Sequence, residues 1–126
     1  MSAPANAPVL VVDDNDDIRE ALALILEYEG LAVESVADGD AALARMRREP
    51  QPCVVIFDLH MPGMDGWQLR EAQQADPTLR DIPMIIYSGD SDVGQVAATM
   101  GLKGFFQKPT TIDRVLALVR RYAQCE

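Results

Sequence analysis

Val54-Val-Ile-Phe57 runs straight into Asp58-Leu59-His60-Met61-Pro62-Gly63-Met64-Asp65-Gly66. Four apolar residues with no polar residue between them read as a strand buried on both faces, as in a parallel sheet. The loop that follows, with its glycines, proline and acids, ends the strand at Asp58. The same pattern recurs in Val9-Leu-Val-Val12, Met84-Ile-Ile-Tyr87 and Phe105-Phe106. A weaker fifth run, Leu31 to Val36, carries Glu34 and Ser35 and reads as an edge strand.

Helical patterns alternate with these runs. Ile18, Ala21, Leu22, Ile25 and Leu26 fall on one stripe of an amphipathic helix, which Asn15 or Asp16 caps and Gly30 stops. A second helix follows Gly39, includes Ala41, Ala42 and Met46, and ends before Pro50. Trp67 to Ala75 forms a third, closed by Asp76-Pro77. Ser91 to Met100 gives a fourth and marginal one, because Val93 and Gly94 both lower helix propensity. Ile112, Val115, Leu116, Val119 and Tyr122 repeat with helical period and give a fifth. Alternation of this kind over 126 residues predicts an α/β fold with a five-stranded parallel sheet covered by helices on both sides. Residues 1–8 read as a flexible N-terminal tail and residues 9–124 as one domain.

Composition narrows the function. Hydrophobic residues make up 48% of the chain, enough for one core, and the net charge is −9. That charge argues against nucleic acid as a partner, since phosphate backbones call for clustered Lys and Arg. Arg45, Arg47 and Arg48 form one short basic patch and read as a solvated helix face. No apolar run approaches the ~20 residues of a membrane helix. The first residues lack the pattern of a signal peptide, so cytoplasmic residence is the expectation. Cys53 and Cys125 match no metal or redox spacing; Cys53, opening an apolar strand, reads as a small buried hydrophobe.

Open α/β sheets bind ligands at the carboxyl ends of their strands. Asp13-Asp14 follow the first apolar run, Asp58 the one at Val54–Phe57, Ser88 the next, and Lys108-Pro109 the last. Singly, these pass as a helix cap, turn residues and a strand stop. Together they gather three carboxylates, a hydroxyl and an ammonium on one sheet edge. Converging carboxylates raise one another's pKa unless a cation joins them, and oxygen ligands without His or Cys select Mg²⁺ or a similar hard ion. A carboxylate can also attack phosphorus and become an aspartyl phosphate. The charge on the transferring group then calls for a metal and a lysine, here Lys108, with Ser88 donating to a further oxygen.

Val12-Asp13-Asp14-Asn15, Asp58 to Gly66, Ser88-Gly89 and Phe105-Phe106-Gln107-Lys108-Pro109 closely resemble the receiver domains of bacterial two-component response regulators, single-domain chemotaxis regulators among them. The match runs from about Val9 to Ala123. The resemblance implies a doubly wound (βα)5, flavodoxin-like fold with strand order 2-1-3-4-5, an order the general rule for such sheets already illustrates with a member of this family. It implies Asp58 as phosphoacceptor, with the phosphoryl group coming from a sensor histidine kinase or a histidine phosphotransfer protein. It assigns Mg²⁺ (or Mn²⁺) to Asp14, Asp58 and the backbone carbonyl of His60, with Asp13 holding its waters. Ser88 and Phe105 become a switch pair that reshapes the surface of the fourth helix, fifth strand and fifth helix for a downstream protein target. Such a protein is a signalling phosphoacceptor that promotes its own phosphorylation and hydrolysis, and not an enzyme acting on an external substrate. His60 and Asp90 occupy the positions that tend to set phosphoryl lifetime, with the His60 side chain facing solvent.

Three departures stand out. Leu102 occupies a place usually held by Ala, which alters packing before the last strand. Gly94 leaves the fourth helix marginal. No output domain follows Glu126, which leaves signalling by docking and excision from a longer protein as alternatives. Among rival readings, a phosphatase of the haloacid-dehalogenase type expects an acid where His60 stands. A flavin or nucleotide carrier expects Gly, Ser or Thr where Asp13-Asp14 would repel phosphate. The remaining alternative is a receiver-fold interaction module that works without phosphorylation.

Overall fold

A computed structural model describes residues 7–102, 104–108 and 110–123. The elements alternate as β1 (Val9–Val12), α1 (Asp16–Tyr28), β2 (Val33–Val36), α2 (Gly39–Met46), β3 (Val54–Phe57), α3 (Gly66–Ala75), β4 (Met84–Ser88), α4 (Val93–Met100), β5 (Gly104–Gln107) and α5 (Ile112–Ala123). All strand pairs are parallel and the order is β2-β1-β3-β4-β5. That is the doubly wound arrangement the resemblance implied.

The strands explain their own lack of alternation. Val9, Val11, Val54, Ile56, Ile85 and Phe106 pack on one face with Leu22 and Leu26 of α1 and Val115, Leu116 and Val119 of α5. Leu10, Val12, Val55, Phe57 and Ile86 pack on the other with Ala42 and Met46 of α2, Leu69 of α3, and Val93 and Ala97 of α4. Both faces are dry, so every position of β1 and β3 must be apolar. Each such side chain, fully buried, stabilises the fold by about 1.5–3 kcal/mol. β2 lies at the edge and tolerates exposed Glu34 and Ser35. Cys53 is buried immediately before β3, and Cys125 lies outside the described residues.

Local chemistry sets the helix ends. The Asn15 side chain accepts from the Ile18 amide and caps α1. Asp65 and Gln68 close a reciprocal capping box on α3. α4 begins at Val93, two residues later than its pattern suggested, and Asp92 at its cap makes no side-chain hydrogen bond. Leu102 joins the core on the α4 side, and its amide donates to the Ala97 carbonyl.

Two expectations change in detail. Arg45 is not part of a solvated face: it is 5% exposed, and its Nε lies 2.6 Å from Glu34 Oε1. The carboxylate on the edge strand draws the guanidinium down against the sheet, whereas Arg47 and Arg48 remain exposed. Of the expected tail, residues 1–6 lie outside the described residues, while Ala7 packs against the core and the Pro8 carbonyl accepts from the Cys53 amide.

Candidate phosphoacceptor and metal site

The carboxyl ends of β1, β3, β4 and β5 bring the acid pair, Asp58, Ser88 and Lys108 to one rim of the sheet. Parallel pairing in register does this. Val12 lies opposite Phe57, and the Asp58 amide donates to the Val12 carbonyl, so Asp13 and Asp58 leave neighbouring strands side by side. The Lys108 amide donates to the Ser88 carbonyl and fixes the end of β5 against β4 in the same way.

One carboxylate oxygen from each of Asp13, Asp14 and Asp58 can be chosen so that all lie within 4.8 Å of one another. Asp13 is buried, Asp58 half-buried and Asp14 exposed, so the cluster opens to solvent at one side. Lys108 Nζ reaches in from β5, 3.4 Å from Asp13 Oδ2 and 3.4 Å from Asp58 Oδ2. The same ammonium lies 4.8 Å above the Tyr87 ring, whose π face adds a weak attraction. Arg19 Nη1 donates to the Asp13 carbonyl at 2.8 Å, and Asp13 Oδ1 accepts from the Asn15 amide.

Burial pushes the Asp58 carboxyl above its ordinary range, and the neighbouring Asp13 charge pushes the same way; Lys108 and the His60 amide oppose them. Three oxygen donors with no nitrogen or sulfur among them fit a hard divalent cation, which would relieve the repulsion that Lys108 offsets only in part. Asp13, Asp14 and Asp58 are the side chains that could hold it.

The other expected residues take distinct places. Ser88 is 1% exposed at the end of β4, and its Oγ accepts from the Asp90 amide at 3.2 Å. Phe105 stands apart from the acid cluster, half exposed on the α4 side of β5. The His60 side chain is exposed, with Nε2 2.6 Å from Asp90 Oδ2. Pro109 lies outside the described residues. Gly66 shows why the loop after Asp58 needs glycine: a Cβ there would lie 2.8 Å from the Asp58 carbonyl oxygen and 2.8 Å from Leu59 Cα. Tyr87 and Arg19 are contacts that sequence reading missed. Tyr87 was visible only as part of an apolar strand, and Arg19 only as the polar side of a helix.

A family model for the response regulator receiver domain matches residues 9–120. The chain belongs to that family. It is 34% identical over 118 residues to the sporulation initiation phosphotransferase F of Bacillus subtilis, covering 93% of this chain and 94% of that protein. It is 36% identical over 116 residues to the C4-dicarboxylate transport transcriptional regulatory protein DctD of Rhizobium meliloti, covering 90% of this chain but only 24% of the relative. The chain thus spans about a quarter of the length of such DctD relatives. Among solved structures, a response regulator receiver protein from Pseudomonas putida superposes with a TM-score of 0.85 at 30% identity, covering 94% of this chain and 98% of the other. The chemotaxis protein CheY4 of Vibrio cholerae gives a TM-score of 0.81 at 29% identity, over 92% and 98% of the two chains. Among the described residues no helix is long and apolar enough to cross a membrane.

Proposed function

We propose that this receiver domain is a signalling phosphoacceptor that takes a phosphoryl group onto Asp58 from a histidine kinase or histidine phosphotransfer protein, in the cytoplasm. The observation that carries this reading is the convergence of Asp13, Asp14 and Asp58 within 4.8 Å with Lys108 3.4 Å from two of them.

An Asp58 Oδ attacks phosphorus as the donor's P–N bond, or the P–O bond of a small acyl phosphate, breaks; the donor nitrogen or oxygen leaves with the bonding pair. Mg²⁺ or Mn²⁺, held by Asp14, Asp58 and the His60 carbonyl with Asp13 on its waters, would supply positive charge where negative charge develops on the phosphoryl oxygens. Lys108 moves from neutralising carboxylates to contacting a phosphoryl oxygen, a short reach for a flexible ammonium that already faces Asp58. The Ser88 hydroxyl, which in the resting state accepts from Asp90, donates its own proton to another phosphoryl oxygen. Its displacement frees space on the α4 side of β4, and Phe105 turns inward to occupy it. The α4-β5-α5 surface so altered controls a downstream protein.

The decisive experiment is intact-mass analysis after incubation with acetyl phosphate, with and without Mg²⁺, alongside Asp58→Asn. One added phosphoryl group that requires both Mg²⁺ and Asp58 is the expected result. No gain together with no Mg²⁺ binding would replace this reading with that of a phosphorylation-independent interaction module.

A further inference from the structure

Phe105 leaves 49% of its surface in solvent, although it is a large apolar residue on a strand. What it touches is α4 at Gly94. A Cβ built on Gly94 would lie 3.2 Å from the ring Cζ, 3.5 Å from Cε2 and 3.6 Å from Cε1. The leading edge of the ring therefore rests against the bare backbone of the helix. A glycine inside a helix weakens it, and α4 spans only Val93–Met100 with no side-chain cap at its start. The sequence alone offers no gain to offset that weakness; the ring contact does.

We propose that Gly94 is a positioning residue for the switch: its missing side chain forms the seat that holds the Phe105 ring outward in the unphosphorylated protein. The inference rests on the reading of Phe105 as a switch residue, and adds the residue that sets its resting balance.

The helix cannot yield in place of the ring. Val93 is 1% exposed and Ala97 4%, both locked into the core beneath α4. At its far end Arg70 of α3 holds the helix: Nε donates to the Met100 carbonyl at 3.1 Å and Nη2 to the Gly101 carbonyl at 3.1 Å. A methyl group at position 94 thus meets Cζ of the ring at 3.2 Å, so the half-exposed ring has to give by a few tenths of an ångström. The alternative place for the ring lies along the same face of the sheet. Phe105 is registered opposite Ile86 on β4, and Ser88 stands two residues further along that strand on the same side. Filling the seat crowds the ring in the outward state alone, so the equilibrium moves toward the inward one.

Three phenylalanines, Phe57, Phe105 and Phe106, make ring ¹³C NMR tractable, with Phe105→Leu giving the assignment. The Phe105 signals are compared in wild type, Gly94→Ala and Thr99→Ala, each unphosphorylated and each saturated with beryllofluoride and Mg²⁺, a stable mimic of the phosphoryl group on a carboxylate. Thr99 is exposed on the same helix, so Thr99→Ala raises helix propensity without placing an atom against the ring. In unphosphorylated Gly94→Ala the Phe105 signals are expected to shift toward their position in mimic-bound wild type, with severalfold faster labelling by acetyl phosphate. Thr99→Ala should leave them in place. Unmoved Phe105 signals in Gly94→Ala, or an equal shift in Thr99→Ala, would overturn the seat. If the signals of wild type do not respond to the mimic, the switch reading of Phe105 fails first and takes the seat with it.

Discussion

His60 Nε2 and Asp90 Oδ2 lie 2.6 Å apart, joining the loop after β3 to the loop after β4 across the mouth of the acid cluster. The hydrogen bond that the imidazole donates to Asp90 is the main reason its pKa is held above the ordinary value. The charged pair therefore persists below that raised value and is lost as pH rises through it. A ¹H NMR titration of the single histidine should show this directly, with Asp90→Asn moving the midpoint down. An unmoved midpoint in that variant would show that the contact is not kept in solution. Replacing either residue should change the lifetime of the aspartyl phosphate without abolishing transfer, and loss of all transfer in both variants would defeat that expectation.

Lys108 acts on two quantities in opposite directions. It partly neutralises Asp13 and Asp58 at 3.4 Å each, so Lys108→Ala should bind Mg²⁺ more tightly by titration calorimetry. The same variant should accept phosphoryl groups more slowly by roughly 10²–10³, the usual cost of removing one preorganised charge donor from such a site. Weaker Mg²⁺ binding in Lys108→Ala would show that the lysine organises the carboxylates instead of competing with the cation.

Desolvation, reinforced by Asp13, makes the ionised form of Asp58 costly in the metal-free protein. A carboxyl whose folded pKa is raised favours the native state below its unfolded pKa and loses that advantage as pH rises through the folded value. Without metal, Asp58→Asn should consequently melt a few degrees above wild type at pH 7, and the gap should close as pH falls into the carboxylate range. Scanning calorimetry in EDTA tests this, and a lower Tm for the variant at pH 7 would sink it.

Gln73 is fully buried, and its amide nitrogen donates to the carbonyls of Leu79 and Ile82 at 2.9 Å each. Gln73→Leu keeps the volume but strands the Ile82 carbonyl, whereas the Leu79 carbonyl still accepts from the Ile82 amide at 3.0 Å. With ~1–3 kcal/mol for an unsatisfied buried group, a loss of stability of that size is expected in urea unfolding. No measurable loss would mean that water reaches the Ile82 carbonyl.

The pattern of the sheet was legible because burial on two faces imposes it residue by residue. Val9–Val12 and Val54–Phe57 could be nothing but apolar, and the edge position of β2 followed from Glu34 and Ser35. The acid cluster was legible for a related reason, since strand ends in a parallel sheet share one rim. What stayed hidden were side-chain partnerships across long stretches of chain, which leave no periodic trace. Arg45 looked like a member of a basic surface until Glu34 was found beside it. Gly94 read only as a helix weakener until the Phe105 ring was seen against it. His60 and Asp90 were each marked by position, but their direct contact needed the fold.

Every chemically committed side chain sits where the strands of the sheet end. Among the described residues, the opposite rim, which includes Glu29–Ala32, Arg47–Cys53 and Asp76–Pro83, supplies none of them. A dye, a biotin or a surface linker attached there would leave the reactive mouth facing bulk solution, open to a donor as large as another protein. This chain can therefore be immobilised and interrogated from its back.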